Sequence, residues 1–555
     1  MSDAQAVEAR VMSGGEALAE ALVMNGVDTV FGIPGIQLDP LFDAFFRSSN
    51  RLRVVHNRHE QGSAFMAMGY AQASERTGVF AVVPGPGLLN AMAAVSTAVA
   101  GNVPVLGITG QIPSYQIGLN YGLAHELRDQ LAMSAGVVGW ARRADYPAQL
   151  PALVREAFHF MRSGRQQPAI LEVAPDQLAA RAPVRALPAA APDPGPAVDP
   201  ERIRAAAERL ARAERPAIFV GGGVFGAEAE LRALAERLQA PVVETINGRG
   251  ALPSDHPLCF NILAGQQIWE QVDVVLAVGT RLLAPALAWG RTQEIDIVRI
   301  DVDPTQIIKP RRPALALACA ARDALAALLA ELGPAAGGAP QRDAFLADCA
   351  RARADVDASL QKLGNLPELS RGLRAALPAD GILVTDVTQL GYFARHAFPV
   401  SGPKQVLGPS YQATLGYAMP AALGAKLANP GRKVVAIAGD GGFMFTVQEL
   451  AVAVQQGIGV VTVVLDNQSY GNVKTIQDQS FGGRNIAVDL VNPDFVALAR
   501  AFGMPAVQAT NGAELEAALR RFLAEDGPAL ISVPMQQVPS IWDMVKRPPS
   551  QGQAS

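Results

Sequence analysis

Residues 433–443 read Lys-Val-Val-Ala-Ile-Ala-Gly-Asp-Gly-Gly-Phe. The apolar run 433–438 predicts a buried strand of a parallel sheet. It runs straight into Gly439-Asp440-Gly441-Gly442. A helix should follow, with Thr446 as N-cap and Glu449 three residues on, a capping-box pattern. The next apolar run, 460–465, predicts a second strand ending in Asp466-Asn467. Both polar clusters then fall at the carboxyl ends of strands, where open α/β sheets bind ligands. The glycines let backbone approach a phosphate. Asp440 and Asn467 offer hard oxygen ligands to an octahedral cation such as Mg²⁺, which is held by one or two such groups plus substrate phosphates. The package describes a metal-bridged diphosphate. An Asp at a turn or an Asn at a strand end is by itself an ordinary loop residue; the strand context and the pairing carry the argument.

The rest of the chain repeats the alternation. Runs at 52–56, 79–83 and 103–109 predict strands in a first segment, 217–220, 242–245, 272–278 and 297–302 in a second, and 381–385 and 529–533 join the two above in a third. Amphipathic stretches such as 227–238 lie between them. Residues 182–200 (APVRALPAAAPDPGPAVDP) and 333–340 (GPAAGGAP) lack either period and read as linkers. The expected organisation is three α/β domains with mostly parallel sheets, at 1–182, 198–333 and 360–538, and a flexible tail at 539–555.

Composition narrows the function. The chain has 555 residues, half of them hydrophobic and 18% charged, with a formal net charge of −4, so no nucleic-acid or anionic-membrane partner is expected. Three scattered cysteines, Cys259, Cys319 and Cys349, read as reduced thiols of a cytoplasmic protein. The first ten residues have no apolar core of a signal peptide, and no apolar run is long enough to span a bilayer.

Gly439-Asp440-Gly441 followed by Asn467 resembles the cofactor motif of the thiamine-diphosphate-dependent enzymes, in the group of acetolactate synthase, benzoylformate decarboxylase and oxalyl-CoA decarboxylase. The resemblance spans roughly residues 14–533. It implies three Rossmann-like domains: pyrimidine-binding, central and diphosphate-binding. It implies metal ligation by Asp440, Asn467 and the main-chain oxygen of Ser469. Thr388 and Gln389 match the diphosphate-contacting turn, with Gly439, Gly441, Gly442 and Tyr470 beside it. The stretch 413–420 matches the segment beneath the cofactor, where Leu415 would wedge between its two rings. Phe31-Gly32-Ile33-Pro34-Gly35 and Pro84-Gly85-Pro86-Gly87-Leu88-Leu89-Asn90 resemble signature turns of the pyrimidine domain, so Gly35 and Asn90 join the cofactor-binding set.

Thiamine diphosphate is activated through its own aminopyrimidine, which becomes basic when a carboxylate hydrogen-bonds its ring nitrogen in a dry site. Glu60, in Arg58-His59-Glu60-Gln61-Gly62, follows a short strand and opens an apolar helix, where the helix dipole favours its ionised form. It matches the family's catalytic glutamate. A carboxylate that only stabilises a helix terminus is the simpler alternative. In this family the pyrimidine domain of one subunit faces the diphosphate domain of another, which implies a homodimer or homotetramer with active sites between subunits.

The middle segment offers a competing pattern. Gly221-Gly222-Gly223-Val224-Phe225-Gly226 follows a strand, and Glu244 ends the next one. Alone this is a dinucleotide fingerprint and would suit a nicotinamide- or flavin-dependent oxidoreductase. Acetolactate synthase binds FAD in this domain, with a longer stretch after its His-Pro-Leu. Here only fourteen residues separate His256-Pro257-Leu258 from Asp273, so FAD is not expected.

The substrate expected from the resemblance is a small 2-oxo acid, decarboxylated, ligated to a second carbonyl, or processed as an acyl-CoA. Acetolactate synthases carry a tryptophan where this chain has Ile476. His125, in the polar stretch 118–130 with Tyr121, Glu126 and Asp129, is a candidate catalytic proton carrier. Gln412 and Gln477 are candidate pocket linings.

Overall fold

A computed structural model describes residues 8–291, 293–333 and 340–545. Three six-stranded sheets, each parallel throughout, organise the chain. In the first the strands lie in the order Arg53–His56, Thr29–Gly32, Gly78–Val82, Val105–Thr109, Ala169–Val173, Trp140–Ala144. In the third the order is Val406–Leu407, Ile382–Thr385, Val434–Gly439, Val460–Asp466, Ala529–Pro534, Ala506–Gln508. Numbered along the chain, both are 2-1-3-4-6-5. The central sheet, Cys259–Asn261, Val242–Glu244, Pro216–Val220, Val274–Val278, Asp296–Asp301, Leu315–Ala318, is 3-2-1-4-5-6, the dinucleotide-domain order. The expected fold class of three Rossmann-like α/β units therefore holds, and the outer two share one topology.

The strands read from apolar runs are present and, apart from the edge strand Arg53–His56, largely buried, because a strand covered by helices on both faces has no polar side to alternate with. Edge strands such as Trp140–Ala144 escape that reading: Arg142 and Arg143 interrupt the apolar run, and Arg142 is exposed.

Two expectations about the connections change. The first linker begins as a strand, Arg181–Val184, antiparallel to Arg10–Ser13, and further on the Ala190 N–H donates to Asn25 Oδ1 at 2.9 Å. The segment is thus tied to the first unit. Most of the second linker, 334–339, lies outside the described residues, and the helix Pro340–Leu360 follows it. The tail expected to fray begins instead with a docked turn, Ile541–Met544. Ile541 is fully buried, and the Trp542 ring meets Tyr392 edge-on at 4.8 Å. Residues 546–555 lie outside the described set.

The first and third units meet through two helices, Glu60–Gln72 and Ala418–Ala428, each buried over most of its length. A methyl group at Gly69 would lie 2.0 Å from the Ala421 carbonyl oxygen, and one at Gly424 would lie 1.9 Å from that of Met66. Only glycine permits this backbone-to-backbone approach. One apolar core accordingly runs from Phe65 and Met66 to Tyr417 and Leu423. A second core joins the central and third units through Trp269, Phe345 and Leu369.

Candidate active site

Strands Ile382–Thr385 and Val434–Gly439 are neighbours, and the chain leaves them in opposite directions across the sheet. This is the topological switch point, where such sheets open a crevice at their carboxyl ends. Thr388 and Gln389 start the helix Gln389–Ala397 at one lip. Gly439 and Asp440 occupy the other, the helix Asp440–Met444 beginning at Asp440 itself. A methyl group at Gly439 would come within 3.3 Å of Thr388 Oγ1, and one at Gly441 within 2.6 Å of the Tyr470 ring. Thr388, Gln389, Asn467 and Ser469 line a single pocket here. The buried Gln389 amide oxygen has no hydrogen-bond partner among the described residues, an unmet polar group at the pocket wall.

Asp440 is 2% exposed. Its Oδ1 accepts from Gly441 N–H at 2.9 Å and its Oδ2 from Asn492 Nδ2 at 2.7 Å. The same Asn492 amide donates to Asp466 Oδ1 at 2.8 Å. Burial holds the Asp440 carboxyl above the usual range, opposed by the Gly441 and Asn492 hydrogen bonds, while Asp466 pushes the same way as burial. Two acids joined by one neutral amide are short of positive charge, so the donor chemistry fits a divalent cation. Backbone pairing fixes the expected third ligand: Tyr470 N–H donates to Val488 O and Leu490 N–H to Gln468 O, both at 2.8 Å, around Ser469. Asn492 was missed by sequence reasoning. It sits in a polar loop with no period or spacing to mark it.

Beneath the crevice, Asp386 is buried and accepts from Gly416 N–H at 3.1 Å and from the N–H groups of Tyr417 and Ala418. Burial pushes this carboxyl up to about 6. It ties down the turn after Leu415 and, with it, places the Leu415 side chain next to Gly442: a methyl on that glycine would be 3.7 Å from Leu415 Cδ2. The capping box expected at Thr446 is absent. Thr446 Oγ1 donates to Gly416 O at 3.0 Å, and Glu449 leaves its own helix altogether. Glu449 accepts from the N–H groups of Arg58 and His59 instead. Tertiary contacts outcompete the local cap because the residues between form a short helix and a 3₁₀ turn rather than one continuous helix.

A second cluster gathers at the carboxyl ends of the first sheet. Glu60 is the first residue of its helix, with His59 as N-cap through Nδ1 accepting from Gln61 N–H at 3.2 Å. Glu60 is half-buried, and its Oε2 accepts from Asn90 Nδ2 at 3.0 Å. Asn90 therefore does not cap the helix Pro86–Gly101; Gly85, at φ +61°, does. A methyl group at Gly85 would lie 2.5 Å from the carbonyl oxygen of His125, and one at Gly35 would lie 2.4 Å from Val83 Cγ1. His125 thus sits against the Gly85 turn, its Nδ1 3.2 Å from Gln37 Oε1. Its neighbours have other tasks. Asp129 caps the helix Gln130–Ala135, Glu126 accepts from Leu123 N–H, and Tyr121 is exposed. Gln412 is exposed, and the Gln477 amide is taken up by both backbone groups of Ile486.

In the central unit, the acid and the glycines of the dinucleotide pattern are engaged within the chain. Glu244 is 1% exposed and paired with Arg249 at 3.0 Å, and it accepts from the N–H groups of Gly250 and Leu252. Arg249 also donates to Phe398 O of the third unit at 2.7 Å. The acid of the fingerprint is a buried structural tie. The glycines pack on backbone: Gly223 N–H donates to Gly279 O at 3.2 Å, and a methyl at Gly223 would lie 2.8 Å from the Gly279 Cα.

An α/β chain with a polar crevice at the switch point of one outer unit and a half-buried carboxylate on the topologically matching unit is the class these features define. Comparison with known families agrees with it. Residues 12–133 match the N-terminal TPP binding domain of the thiamine pyrophosphate enzymes, residues 203–328 their central domain, and residues 386–533 their C-terminal TPP binding domain. The chain is 38% identical over 538 residues to a probable 2-ketoarginine decarboxylase of Pseudomonas aeruginosa, covering 94% of each. It is 32% identical to the acetolactate synthase isozyme 2 large subunit of Escherichia coli, covering 96% of this chain and 97% of that one. It is 30% identical to the isozyme 1 large subunit, covering 96% of each. The chain belongs to the thiamine pyrophosphate enzymes. It is a thiamine-diphosphate-dependent enzyme of carbon–carbon bond chemistry.

Proposed function

We propose that this enzyme decarboxylates a 2-oxo acid, with carboligation to a second carbonyl as the alternative fate of the same reaction. The observation that carries the reading is the buried Asp440 carboxylate at the switch point, next to Asp466 and the glycine turn. Decarboxylation ranks first because Ile476 stands where acetolactate synthases have their tryptophan, and because the relative sharing 38% identity is named a probable 2-ketoarginine decarboxylase.

Thiamine diphosphate, when bound, supplies a nucleophilic thiazolium carbon and a ring that stores the electron pair released with carbon dioxide. In this reading Asp440, Asn467 and the main-chain oxygen of Ser469 hold Mg²⁺. Thr388, Gln389, Gly439, Gly441, Gly442 and Tyr470 receive the diphosphate. Leu415 would pack beneath the cofactor, and Gly35 and Asn90 would line its pyrimidine end. Glu60, held by Asn90, would hydrogen-bond the pyrimidine ring and raise its basicity. His125, steadied by Gln37, carries a proton at the reacting carbon. The three domains are assigned to 1–182, 198–333 and 360–538, and the cytoplasm suits the three buried free thiols.

Each active site would form between Glu60 of one subunit and Asp440 of another, in a homodimer or a tetramer of dimers. Exposed apolar side chains at both half-sites support this. Ile36 and Leu89 flank the Glu60 cluster, and Phe445 and Val473 flank the Asp440 cluster. A panel of 2-oxo acids, including pyruvate and 2-ketoarginine, incubated with enzyme, thiamine diphosphate and Mg²⁺, tests the reading by mass spectrometry. Cofactor-dependent loss of carbon dioxide from at least one is the expected result. Absence of turnover across the panel would overturn it.

A further inference from the structure

Glu449 is fully buried, and among the described residues no Lys, Arg or His forms a salt bridge with its carboxylate, Arg58 acting on it only through space. The Arg58 side chain beside it reaches out to Gln455 Oε1 at 3.3 Å. Among the described residues, the groups that donate to Glu449 are neutral and belong to the first unit, some 390 residues earlier. Arg58 N–H donates at 3.2 Å, His59 N–H at 3.0 Å and Asn57 Nδ2 at 3.3 Å. Asn57 in turn accepts from Ser63 Oγ at 3.0 Å, and both are buried. The carboxylate therefore grips the three residues before Glu60 and, through Asn57, the first turn of its helix.

The sequence is shaped around that grip. A methyl group at Gly62 would lie 2.5 Å from Glu449 Oε1 and 2.7 Å from Cδ. Glycine at this position is what admits the foreign carboxylate. Burying an acid without a cation costs free energy unless hydrogen bonds replace its water. Three donors do so here, and they are the groups whose position sets Glu60. The negative charge also meets the positive end of the Glu60 helix, a position Glu60 would otherwise fill. Glu60 is left to turn toward Asn90.

We propose that Glu449 is a positioning residue for Glu60: the third unit clamps the start of the Glu60 helix and holds its carboxylate at the working position. The proposal rests on Glu60 being the activating acid. It concerns no group that touches the diphosphate or the cation.

Glu449→Gln presents an amide to backbone N–H donors and should loosen the clamp. Gly62→Ala leaves the acid in place but pushes it off, and should give the same result if the first variant folds poorly. Three readings are made on holoenzyme: amide hydrogen exchange over residues 57–63, thiamine diphosphate affinity, and deuterium exchange at the thiazolium carbon of bound cofactor. Amide protection should fall at Arg58 and His59. Thiazolium exchange should slow by about tenfold or more, the rate change that a ~1.4 kcal/mol loss would give. Cofactor affinity should stay within about twofold, since the diphosphate site is untouched; a merely structural role would lower affinity and exchange together. Glu60→Gln is run alongside. If Glu60→Gln leaves exchange unchanged, the activating role of Glu60 fails. If Glu60→Gln slows exchange while both clamp variants exchange at the unaltered rate, the positioning role of Glu449 fails and that of Glu60 stands.

Discussion

Asp440 and Glu60 are carboxylates in opposite settings, and their settings predict different losses. Asp440 is buried beside a second acid and has its donors within hydrogen-bond range. Asp440→Ala removes a ligand from a site in which cation and diphosphate hold one another, so metal and cofactor affinity should fall together, each by about two orders of magnitude or more, in titration calorimetry. Undiminished cofactor affinity would sink the ligand assignment. Glu60 is half-buried and held by one neutral amide. Glu60→Gln keeps the shape and removes the charge. Turnover should fall at least about a hundredfold, a loss of roughly 2.7 kcal/mol in transition-state stabilisation, with cofactor binding largely intact. Near-normal kcat in that variant would leave Glu60 only the role of stabilising its helix. The candidate ligands Asp440 and Asn467 were legible because their spacing follows strand ends. Asn492 was not, since a loop asparagine gains meaning only when folding sets its amide between two acids.

Helices and their contacts set the next scale. Gly424 packs so closely on the Glu60 helix that an added methyl must displace backbone. Gly424→Ala should therefore destabilise by about 1–3 kcal/mol in chemical denaturation, the usual range for overpacking. Gly431→Ala, with nothing near its new methyl group, should change stability by less than about 0.5 kcal/mol. Equal effects would mean the helix pair is looser than described. The clamp on the same helix makes a pH prediction. Burial pushes Glu449 from 4.5 up to about 7, so the folded chain binds this proton more tightly than the unfolded chain does. Stability from this group is fully present below pH 4.5 and is lost as pH rises through 7. Denaturation at pH 5 and pH 8 should show part of the decline vanish in Glu449→Gln, while the part due to Asp386, raised to about 6, remains. An unaltered pH slope would mean Glu449 titrates alike in both states. No sequence pattern announced this element pairing: a local capping box and a long-range clamp use the same glutamate, and only the break between the helices decides.

At the scale of the molecule, Glu60 and Asp440 lie on units of one topology, each near exposed apolar side chains. If a working site needs Glu60 of one subunit and Asp440 of its partner, two inactive variants should complement. Mixing Glu60→Gln with Asp440→Ala and allowing subunit exchange should restore up to about a quarter of normal activity, because half the dimers are mixed and each carries one intact site. Light scattering should report an even-numbered oligomer. An active monomer, or no recovery on mixing despite exchange, would place the site within one chain.

The amino-acid sequence by itself determined the architecture and the cofactor chemistry. Buried parallel strands must be continuous apolar runs, so 433–438 and 460–465 declare themselves. A glycine turn with an acid at such a strand's end is a local arrangement that local residues can spell. The tertiary structure alone decided which partners the buried polar groups take. Glu244 completed a dinucleotide pattern until the fold set Arg249 against it. Glu449 resembled a cap until the first unit presented three donors. The physical reason is common to both. A buried charge must be met by whatever group folding carries to it, and the groups that meet Glu449 lie about 390 residues away along the chain.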